Sequence, residues 1–167
     1  MRRVCRFGLV ILILVSCTGC DQATKSMARE WLAPSPPISV LNDFIRFEYV
    51  ENQGALLGLG SNMPREVRFV LFVILASASL VLTLALIARV RSLGLRPLIG
   101  LSLVAGGGVG NLIDRIFNNG TVVDFVRLGI GCVRTGVFNL ADVAIMVGIV
   151  MLLVSSAREM KGAGNAA

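Results

Sequence analysis

Long stretches of this sequence carry no charge, and a chain written that way has few places to fold except across a bilayer. Phe7–Cys20, Phe69–Ala88 and Pro97–Ile113 contain no Asp, Glu, Lys or Arg, and Thr135–Ala157 contains only Asp142. A helix needs roughly 20 mostly apolar residues to cross about 30 Å of hydrocarbon. The second and fourth runs meet that requirement as they stand. The first and third must continue into polar sequence, through Asp21 and Asp114, which puts both carboxylates at or just inside one membrane face. Spans are expected at about 7–28, 66–88, 96–116 and 137–157, within one membrane-embedded domain covering residues 1–167. Composition excludes the soluble alternative, because 16% of residues are charged where a soluble domain carries roughly a quarter.

The basic residues orient these spans. Arg2, Arg3 and Arg6 precede the first, Arg89, Arg91 and Arg96 join the second to the third, and Arg158 and Lys161 follow the fourth, with Glu159 as the only acid among them. The two other connections mix Arg with Asp43, Glu48, Glu51, Glu66 and Asp124. By the positive-inside rule both termini are cytoplasmic and both mixed loops lie outside. The same asymmetry accounts for the formal net charge of +6, so no nucleic-acid partner is expected.

The first outer loop is long enough to fold. Phe44–Tyr49 alternates at period two after Asn42–Asp43, the pattern of a short strand. Pro34, Pro36 and Pro37 end the first helix, and Ser61 or Asn62 ahead of Pro64 and Glu66 caps the second span. Asn118–Gly136, rich in Gly and β-branched pairs, reads as a loop or small strand, and the tail Gly162–Ala167 as disordered. Cys5, Cys17, Cys20 and Cys132 are too few and too scattered for a disulfide framework. Leu14-Val15-Ser16-Cys17 has the form of a lipoprotein processing site, and Cys17–Cys20 spells a C-x-x-C. The simpler reading is of two small thiols in a spanning helix, since three more spans follow and Asp21 belongs to the same helix.

Four of the five aspartates, Asp21, Asp114, Asp124 and Asp142, fall in or beside the spans. A carboxylate at membrane depth costs roughly 2.5–3.5 kcal/mol on insertion scales, so such residues face cavities and carry function. Asn111 and Asp114 are three apart, as are Asn139 and Asp142, a spacing that places each pair on one helix face. Gly106, Gly107, Gly108 and Gly110 form a strip beside them, suited to close helix approach or to a groove open to lipid. All of these gather at the outer end, with Lys25 and Arg115 among them. The chain has no histidine, which removes Ser-His-Asp and Cys-His catalysis and imidazole zinc sites, and neither metal nor cofactor is expected. Two carboxylates held close cannot both ionise cheaply; sharing a proton, one acts as base toward water while the other donates to a carbonyl. Aspartyl hydrolysis is therefore the chemistry this inventory supports. A small channel or transporter lined by Asp114 and Asp142 is the alternative, although transporters show inverted repeats and midplane sites. A serine–lysine hydrolase using Lys25 and Ser26 is a second, although adjacent helical residues diverge by about 100°. A purely structural membrane subunit is a third.

Five blocks then carry a resemblance: Asp21-Gln22-Ala23-Thr24-Lys25, Glu51-Asn52-Gln53-Gly54-Ala55, Gly110-Asn111-Leu112-Ile113-Asp114-Arg115, Val122-Val123-Asp124-Phe125 and Phe138-Asn139-Leu140-Ala141-Asp142. Together, in this order, they resemble the lipoprotein signal peptidases (signal peptidase II). The resemblance implies an all-α membrane protein of four transmembrane helices with a small extracytoplasmic β-platform, in the bacterial inner membrane. It implies an aspartyl endopeptidase that removes the signal peptide from lipid-modified prolipoproteins just before the lipidated cysteine, working as a monomer amid membrane lipid. It implies a catalytic pair of Asp124 and Asp142, with Asn111, Asp114, Arg115 and Asn139 shaping the site, and Asp21, Lys25, Asn52 and Gly54 at outer-face positions near substrate. Leu57 stands where the family more often has Phe, and Gly129–Val137 lacks an expected aromatic.

Overall fold

Lipid, not water, covers most of this protein, and its packing reflects that. The computed structural model describes residues 3–54, 64–89 and 93–164. The elements follow in the order α1 (Arg3–Trp31), β1 (Ile38–Val40), β2 (Ile45–Asn52), α2 (Arg65–Arg89), α3 (Leu95–Phe117), β3 (Val122–Ile130), β4 (Val133–Arg134) and α4 (Leu140–Gly164). All four helices are long and apolar enough to cross a membrane. The least apolar of them, α3, with a mean hydropathy of 1.3, is also the most buried. In a bilayer that inversion is expected, because close packing of small and polar residues, rather than exclusion of water, joins helices.

Helix α3 is the axis of the bundle and packs against α1, α2 and α4. Its glycines let the backbones approach. A Cβ added to Gly148 of α4 would stand 2.5 Å from the Gly100 carbonyl oxygen, and one added to Gly107 would collide with the Ala141 carbonyl. Helix α2 packs chiefly on α3 and leaves a cleft on its α4 side.

The segments between α1 and α2 and between α3 and α4 build one antiparallel sheet in the order β1-β2-β3-β4. The strand expected at Phe44–Tyr49 is β2, one residue later at its start and reaching Asn52. Strands β1 and β4 are additional, and Asn118–Gly136 is mostly strand rather than loop. Asp43, in the β1–β2 turn, accepts hydrogen bonds from Ser39 and from Arg134 of β4, tying the two hairpins together. A register shift between Phe47 and Val50 lets β2 pair Val50 with Asp124 and Asn52 with Val122.

Helices α4 and α1 differ from expectation at both ends. Helix α4 starts at Leu140, not 137, because Phe138 pairs with Val126 as an isolated bridge and keeps the chain extended up to Asn139. Its far end continues to Gly164, through part of the tail expected to be disordered. Helix α1 runs beyond the expected 7–28 at both ends. Leu57, Arg91 and the expected caps Ser61 and Asn62 lie outside the described residues.

Candidate active site

Helix α1 brings a polar stripe to α3. Asp21, Lys25 and Arg29 repeat every four residues and so share one face, and Gln22 lies beside them. Lys25 is completely buried, as is Asp21, so neither can be an exposed contact near substrate; both belong to the interior that supports the site. Burying a charge is costly unless it is paired and hydrogen-bonded, and here every Lys25 proton has an acceptor. Nζ lies 2.7 Å from Asp21 Oδ2, 3.2 Å from Asp114 Oδ2 and 2.9 Å from Asn111 Oδ1. Asp114 further accepts from Gln22 Nε2 (3.1 Å) and the Val123 backbone N–H (3.0 Å), with Arg29 at 3.7 Å. Asp21 Oδ1 accepts the Ala141 N–H (2.9 Å) at the start of α4. These carboxylates lock α1, α3, β3 and α4 to one another. Asp114 is thus a sealed strut, not a residue lining an ion path with Asp142.

Asp124, on β3, is 2% exposed. Its Oδ2 accepts from Asn52 Nδ2 (2.9 Å) and its Oδ1 from Asn139 Nδ2 (2.7 Å). The diagonal β2–β3 register puts Asn52 on the same sheet face, and the Phe138–Val126 bridge delivers Asn139. Asn139 and Asp142 do not share a helix face, contrary to their three-residue spacing. They form a capping box, in which Asn139 Oδ1 accepts the Asp142 N–H (2.9 Å) and Asp142 Oδ2 accepts the Asn139 N–H (3.2 Å). Asp142 thereby stands at the N-terminus of α4, half-buried. Its Oδ1 accepts from Asn111 Nδ2 (2.8 Å). One asparagine, Asn139, therefore touches both aspartates. The Asp124 pKa is pushed up to about 6, chiefly by burial and less by the Asp142 charge, with the Asn52 and Asn139 hydrogen bonds and the Lys25 charge pulling the other way.

Each asparagine amide has a fixed polarity. The Asn52 carbonyl is taken by the Gly54 N–H (3.0 Å), that of Asn111 by Lys25 and by Asn139 (3.0 Å), and that of Asn139 by the Asp142 N–H. The amide N–H groups are left to face the carboxylates. Gly54 is buried and acts through its backbone.

From Asn111 a groove of about 380 Å³ runs between α2, α3 and α4, lined by Phe72, Ser79, Thr83, Gly108, Arg115 and Ile145 among others. Arg115 sits at its polar end, 6.0 Å from the Phe72 ring centroid, with Nη1 donating to the Asn111 carbonyl (3.2 Å) and a buried Nε that has no hydrogen-bond partner. Of the glycine strip, Gly106 packs on Cys17, Gly107 on Ala141 and Gly110 on Asp21, and Gly108 alone opens onto the groove. The Cys17–Gly106 contact seats Cys17, half-buried, against α3 within an unbroken α1, while Val15 and Ser16 of the segment that has the form of a processing site stay exposed.

Gln22 and Arg29 were not singled out from the sequence, although Arg29 continues the period-four stripe of Asp21 and Lys25. Among the described residues, no group of three His, Cys, Asp or Glu side chains is arranged to hold a metal ion.

Residues 12–158 match the family model of signal peptidase (SPase) II. The chain belongs to the signal peptidase II family. That match spans every residue of the polar site, from Asp21 to Asp142. Lipoprotein signal peptidases of Desulforapulum autotrophicum (34% identical, covering 90% of this chain and 89% of the relative) and Syntrophus aciditrophicus (36%, covering 92% and 91%) are similar over nearly their whole length. Two solved bacterial membrane enzymes share the fold, one with a TM-score of 0.82 at 25% identity over 93% of this chain and 91% of its own, the other with 0.74 at 26% over 89% and 92%. As a signal peptidase II family member with four spanning helices, this is a multi-pass membrane peptidase.

Proposed function

We propose that this protein is an aspartic endopeptidase that removes the signal peptide from diacylglyceryl-modified prolipoproteins, cutting before the lipidated cysteine, with Asp124 and Asp142 as its catalytic pair. The observation that carries this reading is the pair itself: a buried aspartate from the sheet and a half-buried one from a helix N-terminus, bridged by Asn139 at the head of a groove reaching into the bundle. Burial makes Asp124 the holder of the proton that the pair uses. In that state Asp142 takes a proton from the attacking water while Asp124 donates to the scissile carbonyl oxygen. The Asn52, Asn111 and Asn139 amides hold the carboxylates in place without supplying or removing protons.

The groove receives the membrane-embedded part of the substrate. It reaches from Arg115 to Val104 along α3, about 16 Å at 1.5 Å per residue, or half the hydrocarbon thickness. Arg115 Nε is available to a substrate oxygen. The enzyme works as a monomer in the bacterial inner membrane, with both termini cytoplasmic and the aspartates at the outer face, where the lipid-modified cysteine lies.

The test is cleavage by the purified protein in lipid of two prolipoproteins, one carrying diacylglyceryl-cysteine and one unmodified. Release of the signal peptide from the first, with the cut immediately before the cysteine, supports the proposal. No cleavage of either, or equal cleavage of both, overturns it.

A further inference from the structure

Lys25, completely buried, touches neither aspartate of the proposed pair, yet a single residue, Asn111, separates it from Asp142. Lys25 Nζ donates to Asn111 Oδ1 (2.9 Å), and Asn111 Nδ2 donates to Asp142 Oδ1 (2.8 Å). An amide side chain can present either end to a neighbour, and a flip exchanges donor for acceptor. At Asn111 the flip is closed, because its oxygen already faces two donors, the Lys25 ammonium and Asn139 Nδ2. Turning the amide round would set an NH₂ against both of them and an oxygen against the Asp142 carboxylate. We propose that Lys25 is a positioning residue of the peptidase, which fixes the Asn111 amide so that Asp142 always receives a hydrogen bond from it and never a repelling oxygen.

The bland account of Lys25 is neutralisation, since Asp21 and Asp114 are buried and need a cation. Neutralisation alone does not require its third contact. Lys25 has three protons and spends one of them on a neutral amide, and that amide is the one that reaches Asp142. The pull of a positive charge also strengthens the relay, since a polarised Asn111 carbonyl makes its N–H a better donor. Gln22 gives Asp114 a further hydrogen-bond donor and Arg29 brings a second positive charge to 3.7 Å, so Asp114 has support besides Lys25, whereas Lys25 is the cation that holds the Asn111 oxygen, alongside the neutral Asn139 amide.

This inference rests on the proposed catalytic pair, and its test separates the two. Asn111→Asp is the informative variant. One carboxylate oxygen still accepts from Lys25 and Asn139, so a strut between α1 and α3 is kept and even gains charge. The other oxygen faces Asp142 either as a like charge or through a proton drawn into the pair, and in both cases the neutral amide donor is lost. Charged groups facing Asn111 and Asp142 are Asp21, Lys25 and Arg29 from α1, Asp114 and Arg115 from α3, and Asp124 from β3, all of which this variant leaves in place. The expected result is a protein that still folds, with KM little changed, kcat per folded molecule lowered about 10²-fold as for a misplaced catalytic group, and the acid limb of its pH–rate profile moved to higher pH. The second variant, Asp21→Asn with Lys25→Met, keeps the net charge of the cluster while removing the cationic donor from the Asn111 oxygen, and should show the same split between kcat and KM per folded molecule. Wild-type kcat and an unmoved profile in Asn111→Asp, or losses in either variant that track only the amount of folded protein, overturn the inference while wild-type cleavage stands. A wild type that cleaves nothing overturns the catalytic proposal, and the inference falls with it.

Discussion

Asp124→Asn should change how the protein's stability depends on pH, by an amount set by the carboxylate's surroundings. Asp124 is 2% exposed, and burial leads the causes that push its pKa from 3.8 to about 6. An acid with a raised folded pKa binds its proton more tightly folded than unfolded. Its contribution to stability is therefore fully present below pH 3.8 and is lost as the pH rises through about 6. At about 1.36 kcal/mol per unit, the shift corresponds to roughly 3 kcal/mol over the whole window, of which about 2 kcal/mol falls between about pH 4.5 and 7.5. Asparagine has no such dependence. It does turn one NH₂ toward Asn52 or Asn139, a mismatch costing about 1–3 kcal/mol, so the difference at a single pH has no decided sign. That cost is the same at every pH, and comparing two pH values cancels it. Chaotrope unfolding in mild detergent should show the wild type losing about 2 kcal/mol more than the variant between about pH 4.5 and 7.5. Equal changes in the two proteins would refute the reasoning, because they would mean that Asp124 ionises as an ordinary exposed carboxyl.

Three further predictions follow from the packing. Gly107→Ala, whose new methyl meets the Ala141 carbonyl, should cost about 1–3 kcal/mol of stability, whereas Gly108→Leu should leave the thermal midpoint nearly unchanged and raise KM about tenfold, equivalent to about 1.4 kcal/mol; parallel losses in both would make the groove mere packing. Asn139→Ala removes the cap of α4, worth about 0.5–2 kcal/mol, together with the hydrogen bond that lowers the Asp124 pKa, so the alkaline limb of the pH–rate profile, where Asp124 loses the proton it donates, should move up; an unmoved limb counts against the Asn139 bridge. Cys132, exposed in the β3–β4 turn, should react in intact spheroplasts with a membrane-impermeant thiol reagent, and protection until the membrane is broken would reverse the proposed orientation.

Helices that must cross a bilayer announce themselves by uncharged length, so four spans were legible at once. Their ends were not. The start of α4 is set by Phe138 pairing with Val126, a contact between strand and incoming chain that no local pattern encodes, and it is why the three-residue spacing of Asn139 and Asp142 signals a cap rather than a face. Strands β1 and β4, three and two residues long, are below the length at which alternation can be read. The acids were legible as a group because charge is rare in such a chain, but their division of labour is a matter of depth. Asp21, Asp114 and Lys25 are sealed inside, Asp142 is half-buried, and sequence gives burial only by element, not by side chain. Gln22 was invisible as a site residue because a lone glutamine inside a helix is ordinary until its partners on α3 are known.

Cleavage by the two single variants Asp124→Asn and Asp142→Asn tests the central claim most directly. Each keeps the shape of its side chain and removes one member of the proton-sharing pair. With a lipid-modified prolipoprotein in excess and matched amounts of folded enzyme, the account predicts that both variants remain inserted and release no signal peptide above background. Turnover near the wild-type rate by either one contradicts it and assigns the chemistry to other residues.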